Sequence, residues 1–271
     1  MATTLTFIFF VLGLIIGSFL NVVIYRLNTK KTLGGRSICM SCQRELSWYE
    51  LIPLFSFLIL GGRCRTCKSR ISIQYPLVEL TSGLIFAGLF LKFQDIFSLD
   101  KFSFFVLYDY YAVLFSILLV IAVYDLKHKI IPDILVLIFG VLSFAGLFLF
   151  SNNGYTTALL YWHIPTLLDF LSGILVALPF AFFWLVSGGR WMGLGDAKLA
   201  LGIGWLLGMS AAFSALAIAF WSGAIVGVTL IILLKNSKTG KLEMKSEIPF
   251  APFLVLGAFA AFIFELHFFN F

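Results

Sequence analysis

Charge is scarce in this chain. Only 12% of its 271 residues are Asp, Glu, Lys or Arg, whereas an average soluble domain carries about 25%. That shortage excludes a body solvated on all sides. Lys and Arg are missing from Met1 to Thr6, and no small-residue cleavage site follows the first apolar run. Both absences argue against a removed signal peptide and lead us to expect a retained first transmembrane helix. Cysteine is absent everywhere except one segment. No glycine-rich dinucleotide fingerprint follows a predicted strand, so the residues themselves mark no nucleotide-type cofactor site.

Apolar sequence fills the space that charge leaves. Hydrophobic residues make up 61% of the chain, in runs near the ~20 residues that cross a bilayer. Eight candidate spans emerge, at roughly 5–25, 76–92, 108–125, 131–150, 165–187, 196–209, 211–234 and 250–269. The sixth and seventh form one apolar stretch, too long for a single crossing, which we divide at Gly208-Met209-Ser210. The expected fold is an all-α polytopic membrane protein of about eight transmembrane helices, with a small cytosolic zinc-binding loop domain. Its parts are a first transmembrane helix (1–25), a cysteine-rich cytosolic loop (26–75) and a seven-helix membrane core (76–271).

The basic residues orient this arrangement. With the N-terminus outside, the loops 26–75, 126–130, 188–198 and 235–249 face the cytosol and hold 17 of the 19 Lys and Arg residues. Such loops should be the basic ones. The net charge of +6 therefore serves orientation and contact with anionic membrane lipid. We expect no nucleic-acid partner.

All four cysteines lie in the first cytosolic loop, as Cys39-Met-Ser-Cys42 and Cys64-Arg-Thr-Cys67. Two C-x2-C pairs at this spacing point to a tetrahedral thiolate site for Zn²⁺, closed and therefore structural. Redox use or an unmetallated fold are the alternatives. Arg63, Arg65, Lys68 and Arg70 beside the second pair could offset the negative charge of four thiolates. The same loop holds an apolar run, Leu51 to Leu60, broken by Pro53. It is too short to span and suits either an interfacial or re-entrant segment or a small core under the metal site.

Acids near a bilayer are costly and usually functional. Of the 13 acids, Asp95, Asp100, Asp109 and Asp169 lie in or next to outside loops, and Glu265 lies near the outer end of the last span. Glu45, Glu50 and Glu243 lie in cytosolic loops. Asp125, Asp133, Asp196, Glu79 and Glu247 remain, at cytosolic membrane edges. Asp125 ends span three and Asp196 opens span six, at one depth. Two close carboxylates cannot both ionise easily, so such a pair divides into a base that activates water and an acid that polarises a peptide carbonyl. Gly193 and Gly195, just before Asp196, allow close backbone approach. Helix-dipole complementation would account for Asp196 and Asp133 without catalysis, and capping is the preferred reading of Asp133 after Pro132. Glu79 and Glu247 could line a site or pair with a nearby Lys or Arg. Gly13/Gly17, Gly204/Gly208 and Gly223/Gly227 read as helix-packing pairs.

Taken in order, these segments resemble the type IV prepilin peptidases, membrane aspartic proteases with a Gly-x-Gly-Asp motif. The resemblance rests on Gly13 to Arg26, the cysteine loop, Tyr75-Pro-Leu-Val-Glu79-Leu80, Asp125 to Asp133, Gly193-Leu-Gly195-Asp196-Ala-Lys198 and Glu247-Ile-Pro-Phe-Ala-Pro-Phe253. It implies that Asp125 and Asp196 are the catalytic pair. It also implies substrates, prepilins or pseudopilins of type IV pilus or type II secretion systems, cleaved after a Gly that follows a short basic leader. The implied location is the bacterial cytoplasmic (inner) membrane. Many members also methylate the new N-terminus with S-adenosylmethionine, and by resemblance alone the cysteine loop and its surroundings are where that would occur. Met40 and Ala251 stand where the family often has Pro and Gly.

Two other classes compete with this one. An ion-coupled transporter would place acids and broken helices near the midplane, and no acid falls there. A zinc-dependent docking scaffold would explain the cysteines but leave the aspartates without a role.

Overall fold

The computed structural model describes residues 2–29, 32, 34–149, 164–235 and 249–268. Glu247 lies outside them. Nine α-helices are present among the described residues: α1 (Ala2–Arg26), α2 (Phe55–Ile59), α3 (Gln74–Leu99), α4 (Lys101–His128), α5 (Asp133–Leu149), α6 (Leu167–Ser187), α7 (Leu194–Leu207), α8 (Met209–Lys235) and α9 (Ala251–Phe264). Among those residues there is no strand. Five helices, α1, α3, α4, α6 and α8, are long and apolar enough to cross a membrane, and α5 and α9 are shorter apolar helices. Each expected span thus falls on one helix, although α5, α7 and α9, at 17, 14 and 14 residues, are shorter than a full crossing needs, and α2 is the additional short helix.

The division within the longest apolar stretch falls at Gly208. This residue ends α7 with φ +75°, a conformation open to glycine and strained for other residues. The connection before α4 is shorter than the apolar runs imply. Lys92, Gln94 and Asp95 lie on the exposed or half-exposed side of α3, while Phe93 and Ile96 are buried on its other side. The helix therefore continues to Leu99. Asp100 is the whole link, and its carboxylate accepts the Phe102 and Ser103 amides at 3.1 and 3.2 Å. It satisfies donors that the start of α4 would otherwise leave orphaned.

The chain forms two compact units, Met1–Val120 and Ile121–Phe271, divided within α4. In the first, α1 and α3 pack backbone to backbone. A Cβ at Gly13 would lie 2.8 Å from the Gly83 Cα, and one at Gly17 would lie 2.7 Å from the Glu79 Cα. Asn21 donates to the Tyr75 carbonyl at 3.1 Å, and Tyr25 stacks on Tyr75. Phe9, Phe90, Phe104 and Tyr108 close the core of this unit.

In the second unit α7 is the central helix, packing on α5, α6, α8 and α9. A Cβ at Gly204 would lie 2.6 Å from the Gly173 Cα of α6, and Ser172 donates to the Gly204 carbonyl at 3.0 Å. Gly204 is therefore a packing glycine as expected, whereas its expected partner Gly208 is a helix terminator. Gly223 meets Phe253 only at an ordinary 3.6 Å, so no close approach requires it. The α8–α9 contact instead rests on Gly257 against the Ala215 carbonyl.

Candidate active site and metal centre

The second unit gathers six of the residues singled out in the sequence. Asp125 lies in the last turn of α4 and is buried. Lys129, with φ +54°, ends that helix through its amide on the Asp125 carbonyl. Asp196 is buried in the first turn of α7, whose N-cap is Gly193. Gly195, next to Asp196, lies against Ile131, six residues after Asp125, so the two carboxylates stand at neighbouring helix ends.

Their surroundings differ. The Ala251 amide donates to the Asp125 Oδ2 at 3.3 Å. This N–H belongs to the first turn of α9, where helix amides have no intrahelical acceptor. The donor is backbone, so the departure from Gly at position 251 leaves it intact, and the Ala251 methyl is itself fully buried. The Asp196 Oδ1 is buried and has no hydrogen-bond partner among the described residues. A buried acceptor without a donor is costly unless a ligand or water supplies one. One carboxylate is thus anchored, and the other keeps a free acceptor.

Gly195 explains how Asp196 reaches this position. A Cβ there would lie 2.9 Å from the Ile131 Cβ and 3.2 Å from its Cδ1. Ile131 lies in the four-residue link from α4 to α5, so bare backbone lets the start of α7 rest on the segment just after Asp125. Gly193 differs, because a Cβ there would meet the Asp196 Oδ2 at an ordinary 3.6 Å. Ile131 and the Ala251 amide are the parts that sequence reasoning missed. The only signals for them were the run Ile130-Ile131-Pro132 after Asp125 and the Pro249 that precedes α9.

Asp133 and Lys198 form an exposed ion pair at 2.6 Å. Asp133 opens α5, so it complements the helix dipole as expected. Its carboxylate also ties α5 to α7, a link that spacing did not reveal.

The first unit holds the other candidates. Glu79 is buried on α3 and accepts the Leu54 amide at 2.9 Å. The cysteines form two knuckles of the same construction. The Cys39 amide donates to the Arg44 carbonyl and the Gln43 amide returns to the Cys39 carbonyl, each at 2.9 Å. Twenty-five positions on (39 to 64), the Cys64 amide donates to the Ser69 carbonyl at 2.9 Å and the Lys68 amide returns to the Cys64 carbonyl at 3.0 Å. Gln43 and Lys68 share φ near +57°, and each knuckle is closed by one bridge, Ile38 to Glu45 or Arg63 to Arg70.

All four Sγ atoms lie within 4.8 Å of one another, with Cys39 and Cys67 at 3.8 Å. Sulfurs about 2.3 Å from a tetrahedral zinc ion would be ~3.8 Å apart, so the donor set and its spacing fit a four-coordinate metal. The Cys42 and Ser41 amides hold the Cys39 thiol down to about 6. The Ser69 hydroxyl and amide hold Cys67 below its ordinary value. Burial and the neighbouring thiols push Cys42 up to about 11, against the Arg44 amide. A cation relieves that crowding of negative charge. Beneath the knuckles, the Ser47 amide and the Arg44 guanidinium hold the Glu50 carboxyl below its usual range, against the cost of burial.

Comparison with known proteins bears on both units. The family model "Bacterial Peptidase A24 N-terminal domain" matches residues 11–93, and that of the "Type IV leader peptidase family" matches residues 112–228. The chain belongs to the type IV leader peptidase family. Within it, a prepilin leader peptidase/N-methyltransferase of Bacillus subtilis is 33% identical over 95% of this chain and 93% of its own length. A protein of the same name from Pseudomonas aeruginosa is 31% identical over 92% of this chain and 87% of its own. One from Myxococcus xanthus is 35% identical over 88% of this chain. The match spans 65% of that relative's length. No solved structure matches this chain. The N-terminal match takes in the four cysteines and Glu79, and the second match takes in Asp125, Asp133, Gly193, Gly195, Asp196 and Lys198.

Proposed function

We propose that this protein is a membrane aspartic endopeptidase that removes the short basic leader from type IV prepilins or pseudopilins, with Asp125 and Asp196 as its catalytic pair. The observation that carries this reading is the asymmetric pair itself, with Asp125 anchored by the Ala251 amide and Asp196 keeping an unpartnered Oδ1. In the reaction one carboxylate takes a proton from water while its oxygen attacks the scissile carbonyl carbon. The other, protonated, carboxyl gives its proton to the carbonyl oxygen, forming a gem-diol. Collapse of the gem-diol returns a proton through the pair to the leaving amine, and both groups recover their starting states. No covalent intermediate is involved.

The protein sits in the bacterial inner membrane with its N-terminus outside and both aspartates toward the cytosol. The distribution of Lys and Arg supports this orientation. The substrate then presents its leader from the cytosol and its hydrophobic helix from the membrane. Gly195 allows the start of α7 to approach Ile131, Gly193 is the N-cap before Asp196, and Asp133 with Lys198 holds α5 to α7. Glu247 is a further candidate for contact with the leader, whereas Glu79 is buried on the Leu54 amide.

Zn²⁺ is the proposed occupant of the four-cysteine site, where it would hold the two knuckles together. Four thiolates leave no open position on such an ion, so its contribution is structural. We also include methylation of the new N-terminal amine, because the relatives' names join the two activities. S-adenosylmethionine would be a second substrate, and no described cluster of polar side chains is assigned to it.

The test is leader removal by the full chain reconstituted with a prepilin. Asp125→Asn and Asp196→Asn, made singly, should each abolish cleavage while leaving the protein folded and inserted. Cleavage that survives either change defeats the paired mechanism.

A further inference from the structure

The apolar segment around Leu54 has its own geometry, and the peptidase reading does not use it. It comprises one 3₁₀ turn, Trp48–Leu51, and the five-residue α2, joined through Pro53 and Leu54. Leu54 has φ +60° and ψ −50°, and the Phe55 amide closes on the Pro53 carbonyl at 2.6 Å. This is the rare, strained form of the γ-turn. Strain of this kind persists only where surrounding structure holds it. Here the holder is Glu79, whose Oε2 accepts the Leu54 amide at 2.9 Å.

The position of Glu79 sets the depth of this turn. Glu79 is the sixth residue of α3, about 7.5 Å along the helix from its start at 1.5 Å per residue. It also lies against Gly17 of α1, nine residues before the charged end of that helix at Arg26, or about 13 Å along its axis. Both α1 and α3 are long and apolar enough to cross a membrane. The strained turn is therefore held below the ends of two spanning helices, near the level of Leu77 and Leu80, which α3 exposes.

Nothing among the described residues covers the residues that follow the turn. No residue of α2 is buried, and Phe55, Leu58 and Ile59 are 63, 73 and 82% exposed. At that depth such a surface meets lipid. The knuckle just after it exposes Arg63, Arg65, Lys68 and Arg70, charges suited to anionic headgroups. We propose that the Trp48–Leu60 segment is a hairpin inserted in the cytosolic leaflet of an anionic bilayer, pinned there by the Glu79–Leu54 hydrogen bond. The pin gives Glu79 a role. A carboxylate at this depth is costly, and it is kept because it holds the metal-site loop against the membrane.

Photo-crosslinking of the full-length protein in vesicles of phosphatidylethanolamine and phosphatidylglycerol tests this. Benzoyl-phenylalanine is placed singly at Phe55, Leu58 and Ile59, with Leu84 as a lipid-facing control and the exposed Arg36 as a water-facing one. Adducts carrying lipid mass are expected at all three hairpin positions, at yields near that of Leu84 and several-fold above Arg36. Yields no higher than Arg36, or crosslinks to a second copy of the chain, overturn the proposal. Glu79→Leu should lower the Phe55 yield several-fold without changing Leu84, whereas Glu79→Gln, which keeps an acceptor, should preserve it. An unchanged Phe55 yield in Glu79→Leu removes the pin. A Phe55 yield that does not fall when phosphatidylcholine replaces the anionic lipid removes the role given to the basic residues. None of these outcomes bears on leader cleavage, so failure here and failure of the peptidase reading are separate results.

Discussion

The two glycines of the Gly-Leu-Gly-Asp motif should respond unequally to the same substitution. In Gly195→Ala the new methyl would start 2.9 Å from the Ile131 Cβ. Carbon atoms at rest sit about 3.5–4.0 Å apart, so the start of α7 must retreat by up to about 1 Å. Overpacking of this kind costs roughly 1–3 kcal/mol. Exchanging Gly for Ala in a helix returns up to about 1 kcal/mol, so global stability should change little. The neighbouring carboxylate moves with the backbone, and a misplacement near 1 Å costs on the order of 100-fold in rate. In Gly193→Ala the nearest atom would be the Asp196 Oδ2 at 3.6 Å. That variant should lose only about 1 kcal/mol of helix-start stability, because Ala is a poor N-cap. The assay is kcat/KM for leader cleavage together with thermal unfolding in detergent. Gly195→Ala should fall by tens- to a hundred-fold with a Tm within a few degrees of wild type, and Gly193→Ala by less than about fivefold. Combining Gly195→Ala with Ile131→Gly should recover activity. Ile131→Ala should recover little, because its Cβ remains. Equal losses at Gly193 and Gly195, or no recovery with Ile131→Gly, would refute the contact as the reason for glycine at position 195.

Three further predictions follow from the same geometry. Cys39→Ser removes one of four ligands, and metal analysis of the purified protein should show bound zinc reduced, with faster proteolysis of the 34–73 region. Exchanging Asp133 and Lys198 (Asp133→Lys with Lys198→Asp) should restore most of whatever activity Lys198→Asp alone loses. Stability should shift by no more than about 1 kcal/mol in any of these variants, because the pair is exposed. Glu50 has its carboxyl held below the usual range, so its contribution is present above that range and is lost as pH falls through the depressed value. Limited proteolysis of the cysteine loop should therefore quicken on acidification in the wild type, and Glu50→Gln should make it fast at neutral pH as well.

Long apolar runs were the legible part of this sequence. A helix that crosses a membrane must satisfy its backbone internally, so composition alone marks it, and the break at Gly208 was readable because the apolar stretch is too long for a single crossing. Helix ends were less legible. Lys92 and Asp95 looked like the onset of a loop, yet they occupy the exposed side of a helix whose other side still buries Phe93 and Ile96. The aspartates could be ranked by depth, and family motifs then paired them. The Ala251 amide and the Ile131 side chain could not be read, because a backbone donor leaves no residue preference and an isoleucine looks like any other apolar residue. The cysteine pairs were legible as a cluster able to hold a metal ion, but not the matching positive φ of Gln43 and Lys68, which occupy a conformation more usual for glycine or asparagine.

The helices that present the site are short. α7 and α9 have 14 residues each, about 21 Å at 1.5 Å per residue, against a hydrocarbon thickness near 30 Å. Asp196 and the Ala251 amide both sit at the starts of these helices. When their far ends reach the opposite boundary, those starts stop about 9 Å short of the near one. Hydrophobic mismatch of this size thins the bilayer or leaves a hollow around the mismatched element. Such a hollow would admit water to Asp125 and Asp196, and a scissile bond just inside the substrate's hydrophobic segment would not have to leave the membrane to be wetted.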